Sequence, residues 1–201
     1  MNFTCNTIAQ PVVDVIFKEK GSKFIGYAYS VKNEEEIKKR LEEVKAMHAS
    51  ATHHCYAFRL GFSGKRYRAN DDGEPNGTAG LPIYNQLLSN DLTYILLIVV
   101  RYYGGTKLGV SGLIKAYRQT AELTLNEAEI KVIEQTKKMT LNFPYSMQNI
   151  AMRLIERYDA ELITQSYMED CEHEIEIPRR NYMEFIRQLE THPDIEFWEN
   201  K

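Results

Sequence analysis

The sequence predicts an α+β protein of two domains, residues 1–135 and 136–201. The length of 201 residues is enough for one large or two small domains, each with its own core. Charge differs between the two parts: residues 1–135 hold 17 Lys+Arg against 15 Asp+Glu, whereas residues 136–201 hold 8 against 13. Residues 139–199 also follow the order β-α-β-β-α-β, which is typical of a ferredoxin-like domain.

In the first domain, short strands alternate with helices. Alternating apolar residues predict a hairpin of strands Pro11–Phe17 and Lys23–Val31. Asn33 is predicted to cap the next helix, with Glu36 in capping-box spacing. Further along, the pattern predicts a strand at 52–60, a helix at 81–88, a strand at 94–100, a helix after Gly112 and a strand near 130–136.

The elements of the second domain are predicted from sharper periodicity. A strand at 139–143 is followed by an amphipathic helix with apolar residues from Met147 to Tyr158. Strands follow at 161–168 and 172–177, and a final strand closes the chain at 195–198. A second helix contains Tyr182 to Leu189, and the spacing of Asn181 and Glu184 predicts a capping box at its start.

The chain is organised around the stretch from Arg101 to Tyr117, where an apolar strand runs into a glycine-rich turn and then a helix. The turn lacks the Lys-Ser/Thr pair of a Walker A loop, since Val110 and Ser111 stand there, and no G-x-G-x-x-G is present. Two interpretations remain. The glycines allow the turn and helix to pack tightly on the sheet, or they let the backbone approach a phosphate.

Basic residues interleaved with aromatic ones favour contact with a nucleic acid. Arg, Lys, backbone N–H groups and helix starts bind phosphates, and aromatic rings stack on bases. An ordinary solvated face is the alternative. The predicted nucleic-acid-binding residues are Arg66, Arg68, Arg101, Gly104, Gly105, Lys107, Lys115 and Arg118.

An acidic turn follows the predicted strand that holds two adjacent histidines. Asp71, Asp72 and Glu74, with His53, have the chemistry of a hard-cation or acid–base site, although the same residues also suit a hydrogen-bonded turn. Strand alternation puts His53 and Cys55 on one face of the sheet. Because no complete ligand set or catalytic motif is evident, we predict no metal, cofactor or catalytic residue.

Cysteine usage and hydropathy point to the cytoplasm. Three widely spaced cysteines, Cys5, Cys55 and Cys171, do not suggest a disulfide framework. No signal peptide is visible, and the longest apolar run, at 95–100, is far below the roughly 20 residues of a membrane span. We expect a cytoplasmic protein without a membrane partner.

The segments Asn70–Gly80 and Val99–Tyr117 together resemble the signature of the IMPACT/YigZ family. The resemblance is strong over the first domain. It extends more weakly over the second, which matches the bacterial members in length and element order. The signature residues outside the basic set are Asp71, Asp72, Gly73, Glu74, Pro75, Gly77, Thr78, Gly109 and Gly112.

This resemblance implies a first domain like the ribosomal-protein-type domain IV of elongation factor G and a second like its domain V. It further implies a translation-linked protein that binds nucleic acid. The role of the eukaryotic members in controlling a kinase uses an additional N-terminal domain, and we do not expect it here. A proline-dipeptidase label carried by some bacterial members is not supported by any paired metal ligands in this sequence.

The resulting hypothesis is a regulatory protein of translation that binds RNA or a ribosomal surface through the first domain. One alternative is a metal-dependent hydrolase using Asp71, Asp72, Glu74 and His53. Another is a protein-interaction module whose acidic ferredoxin-like domain binds a protein partner.

Overall fold

The computed structural model describes residues 3–200, which form two compact units. One unit is Cys5–Ile133, and the other begins at Glu134 and also includes Phe3 and Thr4. This division lies close to the boundary expected at residue 135. Each unit has its own hydrophobic core.

The first unit contains seven strands and three helices within the described residues. In chain order they are β1 (Thr4–Ile8), β2 (Val12–Glu19), β3 (Ser22–Ser30), α1 (Glu34–Met47), β4 (His53–Leu60), β5 (Arg66–Asn70), α2 (Gly80–Ser89), β6 (Ile95–Tyr102), α3 (Gly109–Asn126) and β7 (Ile130–Glu134). Strands β1 and β7 pair in a two-stranded sheet.

The main sheet of this unit is antiparallel, with the strand order β2-β3-β6-β4-β5. Its central strand, β6, is covered on both faces, and its residues 95–100 are fully buried. Ile95, Leu97 and Val99 belong to the core that includes α2 and α3. Leu96, Ile98 and Val100 point to the other face and form a second core with α1. The two-residue alternation of a strand therefore assigns each β6 side chain to one helical layer.

Helix α3 packs against β3 at an unusually close approach. A Cβ atom added to Gly26 would lie 1.8 Å from Thr124 Oγ1 and 3.0 Å from Thr124 Cβ. The Thr124 hydroxyl donates to Thr120 O at 2.7 Å, so it cannot turn away without losing that bond. The absence of a side chain at Gly26 of β3 thus allows the close contact with α3.

The second unit has the predicted β-α-β-β-α-β order. Its elements are β8 (Thr136–Phe143), a short 3₁₀ turn (Tyr145–Met147), α4 (Gln148–Arg157), β9 (Glu161–Tyr167), β10 (Cys171–Pro178), α5 (Arg179–Leu189) and β11 (Glu196–Glu199). The antiparallel sheet has the order β11-β8-β10-β9. Both helices share one core with the inner face of the sheet, which confirms the α+β class and the ferredoxin-like arrangement.

Three local predictions differ from the structure. Helix α3 begins at Gly109 rather than after Gly112, because the apolar stripe that marks a helix starts later than its backbone. Strands β1 and β5 were not predicted. The capping box at Asn181 is wrong: α5 begins at Arg179 after Pro178, and the Asn181 amide instead donates to Tyr158 O at 2.8 Å.

The Asn33 cap of α1 is confirmed, since its side chain accepts from Glu36 N at 2.9 Å. In a capping box the Glu36 side chain would accept from the backbone N–H of Asn33; here it accepts from the N–H of Lys32. None of the described helices is long and apolar enough to cross a membrane.

We predict that Gly26→Ala destabilises the protein by about 1–3 kcal/mol, the range for overpacking a tight core. In Gly26→Ala/Thr124→Ala, the loss of the Thr124 hydroxyl removes the nearest clashing atom. The double variant should therefore lose less than the sum of the two single variants, as measured by urea unfolding of all four proteins. Purely additive losses would contradict the close approach.

Candidate functional site

The signature residues meet at the buried carboxylate of Glu74, which is 8% exposed. Glu74 Oε1 accepts from Arg101 Nη1 at 2.6 Å and from Tyr117 Oη at 2.7 Å. His53 Nε2 lies 3.9 Å from the same oxygen. We call Glu74, Arg101, Tyr117 and His53 the Glu74 hub. It links the acidic turn, the central strand β6 and helix α3.

Strand register explains why these side chains share a face. His53 and Phe24 are the cross-strand partners of Arg101 on the two strands that flank β6. All three side chains therefore point toward α2 and α3. The Arg101 guanidinium lies 5.5 Å from the ring centroids of Phe24 and Tyr103, and its Nη2 is 3.4 Å from Ser22 Oγ.

The carboxylate of Asp71 does not bind the hub; it accepts hydrogen bonds from the backbone N–H groups around the start of α2. Oδ1 accepts from Ala79 N at 2.9 Å and Gly80 N at 2.8 Å, and Oδ2 accepts from Gly77 N at 2.9 Å. A carboxylate at this place satisfies the unpaired donors of a helix start and complements its dipole. Asp71 is thus the cap of α2, although it lies eight residues before Ala79.

Asp72 binds the neighbouring strand. Its Oδ2 accepts from His54 N at 2.7 Å, and its carbonyl oxygen lies 2.7 Å from His53 Nδ1. A carbonyl only accepts, so Nδ1 of His53 is the donor in this bond. The backbone of Asp72 has φ of 43°, and Gly73 after it has φ of 89°, which turns the chain sharply between these contacts.

The three carboxylates therefore diverge, each bound to a different part of the unit. Within residues 3–200, no group of three or more His, Cys, Asp or Glu side chains is placed to hold a metal ion. The hydrolase alternative needed Asp71, Asp72, Glu74 and His53 around one ion. The geometry gives these residues structural hydrogen bonds instead.

Cys55 is not arranged as a nucleophile. Its sulfur lies 3.0 Å from Asp71 O and 3.3 Å from Tyr117 Oη, and the residue is fully buried. Burial raises the pKa of the Cys55 thiol, and nearby acids including Glu74 raise it further. Burial likewise raises the pKa of the Tyr117 hydroxyl. Both groups stay protonated at neutral pH, whereas a reactive cysteine requires the thiolate.

The predicted nucleic-acid-binding residues do not form one surface. Arg101 is only 5% exposed and bonded to Glu74, so it lies in the interior and not on a phosphate-binding face. Arg66 and Arg68 are exposed opposite Leu60 and Phe58, on the face covered by α1. Arg66 also pairs with Glu34 at 2.7 Å. The other face carries the groove between α2 and α3, where Arg118 lies, and Lys115 is exposed on α3.

The glycine-rich turn itself is exposed, from Tyr103 through Lys107. Gly104 packs on the β2–β3 hairpin: a Cβ on Gly104 would lie 1.9 Å from Gly21 C, and Gly104 N donates to Ser22 Oγ at 3.2 Å. Gly105 has φ of 86° with open space around it. Gly104 therefore makes a close backbone approach to another turn of the same chain.

The contact between Gly104 and Gly21 places the lysine-rich turn of the β2–β3 hairpin beside the glycine loop, and the sequence analysis did not include these lysines in the site. Lys18 and Lys23 are direct cross-strand partners, Lys20 precedes Gly21 in the turn, and Lys23 Nζ lies 6.0 Å from the Tyr102 ring. Their only sequence signal was a lysine-rich hairpin turn, since its distance from the glycine loop depends on the fold. We define the lysine surface as the lysines of these two turns, Lys18, Lys20, Lys23 and Lys107, with the exposed ring of Tyr103. Lys18 and Lys23 lie on the side of the hairpin that faces α1, and the Tyr103 ring lies on the side of Arg101.

A hydrogen-bonded histidine lies on the α1 face of the same sheet. His48 Nε2 is 2.5 Å from Tyr27 Oη, and Nδ1 is 2.9 Å from Tyr102 Oη. Tyr27 donates to Asp14, so its oxygen can accept from Nε2–H, and Tyr102 then donates to Nδ1. His48 is neutral in this chain of bonds. Burial lowers the pKa of His48 and, nearby, that of His54.

The fold and site define a two-unit α+β protein whose signature residues build a buried polar hub beneath an exposed glycine loop. Comparison with known proteins agrees. The Impact N-terminal domain matches residues 20–125. An IMPACT family member of Haemophilus influenzae is 34% identical over 192 residues, or 89% of each chain. The family member YigZ of Escherichia coli is 32% identical over 179 residues, or 88% of each chain.

The chain belongs to the IMPACT family, which confirms the resemblance seen in the sequence. A crystal structure of a hypothetical protein shares the fold over the whole chain. It is 29% identical, with a TM-score of 0.74, and the match covers 100% of this chain and 99% of that one.

We predict that Glu74→Ala destabilises the protein by about 3–5 kcal/mol, because it leaves the Arg101 guanidinium buried without its counter-charge. The matched control is Glu42→Ala on the exposed face of α1, which should stay within about 0.5 kcal/mol. Chemical unfolding measures both. Glu74→Ala/Arg101→Ala should lose less than the sum of the single variants, and a loss of under 1 kcal/mol in Glu74→Ala would show that the hub is not a structural constraint.

We predict that the free energy of unfolding falls as pH drops below 6.5, the unperturbed pKa of histidine. The folded-state pKa of His48 and of His54 is lowered, so the unfolded chain binds more protons and acid favours it. Stability from these groups is complete above pH 6.5 and is lost as pH falls through the folded-state values. Urea unfolding between pH 7.5 and about 5 measures the slope, which should be shallower in His48→Gln/His54→Gln. An unchanged slope in that variant would contradict the prediction.

Proposed function

We propose that the first unit binds the phosphate backbone of RNA through the lysine surface, in a protein linked to translation. The observation that supports this most directly is the contact of Gly104 with Gly21, which joins the glycine loop to the lysine-rich hairpin turn. Two loops that are distant in sequence, one with Lys18, Lys20 and Lys23 and the other with Lys107 and the exposed ring of Tyr103, thereby lie next to each other.

The charges of this surface are unpaired. Within residues 3–200, no ion pair joins Lys18, Lys20, Lys23 or Lys107 to a carboxylate. Lys18 and Lys23 also stand directly opposite each other, and like charges in that position destabilise a sheet. One acid, Glu19, lies between the lysines of the turn. An anionic ligand would relieve the repulsion between the lysines.

The loop adds backbone donors to these cations. A Cβ added at Gly105 would meet no atom within 4 Å, and Leu108 supplies no side-chain cap to α3. The first turn of α3 also contains no acid. Phosphate oxygens bind the uncapped backbone N–H groups at the start of a helix such as α3. Tyr103, which is 46% exposed, offers a ring for base stacking.

The role in translation extends the resemblance of the signature to translation-linked IMPACT proteins. RNA of the ribosome is the ligand we favour, since phosphate and ring contacts suit structured or single-stranded RNA without a fixed sequence. Arg66, Arg68, Lys115 and Arg118 lie on other parts of the unit. In this proposal they are secondary contacts.

We predict that the intact protein binds a single-stranded RNA oligonucleotide at low salt and that Lys20→Gln/Lys107→Gln weakens the binding. Each lost phosphate contact should make the slope of log K against log salt shallower by about 0.7. Fluorescence anisotropy with labelled RNA over a salt series measures both quantities.

Two control variants show whether the loss of affinity comes from the lysine surface or from the overall change in charge. Lys39→Gln/Lys131→Gln removes the same charge from exposed positions on α1 and β7 and should leave the affinity within about twofold. Arg68→Gln/Arg118→Gln should have a smaller effect than Lys20→Gln/Lys107→Gln. If it has the larger effect, the binding surface lies elsewhere. Absence of binding by the wild-type protein at low salt would reject RNA binding altogether.

A further inference from the structure

The second unit has a sheet face that its helices do not cover. Helices α4 and α5 pack on the side of β8, β10 and β11 that carries Met139, Ile175 and Phe197. The opposite side chains form three rows across the sheet, given by the register. They are Glu196, Asn142, Glu172 and Ser166; Trp198, Thr140, Glu174 and Thr164; and Lys138, Glu176 and Glu161. We call this surface the open sheet face; Thr140, in its middle row, is buried and bonds Asn200.

The open sheet face is strongly acidic. It holds five glutamates and, within residues 3–200, Lys138 as its one cation. None of the five forms an ion pair in that part of the chain. Glu174 accepts from Thr164 Oγ1 at 3.2 Å and Glu176 from the Thr136 hydroxyl, so the hydrogen-bond partners of these two are neutral. Lys138 is the cross-strand partner of Glu176 on β8 but forms no ion pair with it.

The arrangement works against the stability of the sheet. Glu176 stands directly opposite Glu161, and Glu172, Glu174 and Glu176 follow one another on the same face of β10. Like charges that are direct cross-strand partners repel, and a folded domain gains nothing from them. Positively charged groups supplied by another molecule would remove this repulsion.

An aromatic side chain lies within the same surface. Trp198 is 45% exposed and sits in the row with Glu174, two residues after Glu196. Exposed tryptophans are frequent anchors of protein interfaces, and a tryptophan ring attracts guanidinium and ammonium groups. Acid groups around an exposed indole thus match a chain of arginines and lysines in both charge and contact chemistry.

From this charge complementarity, we propose that the open sheet face docks a basic protein segment, one rich in arginine and lysine. A nucleic acid does not fit, because its phosphates would meet five carboxylates. A divalent cation does not fit either, since no three of the described acids converge on one point. The proposal concerns a different surface from the lysine surface and stands whether or not that surface binds RNA.

The test uses the full chain and a peptide of about ten arginines at low salt. Trp198 is the only tryptophan among the 201 residues, so its fluorescence reports on this face alone. We expect a saturable change in Trp198 emission, weakened by salt. A decalysine peptide should bind less tightly, because the planar guanidinium stacks better on the indole.

Two variants with equal changes in charge locate the binding. Glu172→Gln/Glu174→Gln/Glu196→Gln should weaken peptide affinity by about tenfold or more and should not lower stability, since it removes repulsion. Glu156→Gln/Glu190→Gln/Asp194→Asn alters exposed acids on α4, at the end of α5 and in the following turn, and should stay within about twofold. Calorimetry with Trp198→Ala should show a loss of about threefold or more.

Three results would overturn the proposal. The first is no saturable change in Trp198 emission with the arginine peptide. The second is an equal loss of affinity in both triple variants, which would mean attraction to overall charge. The third is a Trp198 response to an RNA oligonucleotide that the Glu172→Gln/Glu174→Gln/Glu196→Gln variant abolishes, which would make the ligand a nucleic acid.

Discussion

The ion pair between Arg101 and Glu74 is the constraint on which the first unit depends. Arg101 belongs to the central strand of the sheet, so its side chain is buried beneath α2 and α3. Removing a guanidinium from water is unfavourable unless a counter-charge is fixed beside it. Glu74 supplies that charge only if the turn after β5 folds back onto the sheet. The shared bond with Tyr117 then fixes α3 on the same point. The glycine loop joins β6 to α3, so the hub anchors both of its ends.

Each unit has a pair of like charges at directly opposite positions of neighbouring strands, positive in the first unit and negative in the second. Lys18 opposes Lys23 across the hairpin of the first unit, and Glu161 opposes Glu176 in the sheet of the second. Within residues 3–200 neither pair forms an ion pair, although Lys138 stands opposite Glu176 on β8. The exposed ring of Trp198 lies on the same sheet face as the glutamate pair. Like charges in such positions cost a small amount of stability, which a ligand of opposite charge would offset in both of the proposals above.

The sequence predicted the fold well because periodicity is a local property. Alternation on β10 and the helical stripe of α4 each lie within one element, and both appear in the structure. The candidate site was harder, since its chemistry depends on pairs far apart in the chain. Arg101 looked like a surface cation because the sequence does not show that Glu74 lies 2.6 Å away. Lys20 looked unimportant for the same reason, as only the packing of Gly21 on Gly104 brings it beside the glycine loop.

The carboxylate of Asp71 also affects the chemical durability of the chain. Asn76 is exposed and precedes a glycine, the sequence most prone to spontaneous deamidation. That reaction begins when the backbone nitrogen of the following residue attacks the asparagine side chain. Here the Gly77 N–H donates to Asp71 Oδ2 at 2.9 Å, which holds the nitrogen away from that attack. We therefore expect that Asp71, which caps α2, also slows deamidation of Asn76 and rearrangement of the Asn76–Gly77 peptide bond as long as the unit stays folded.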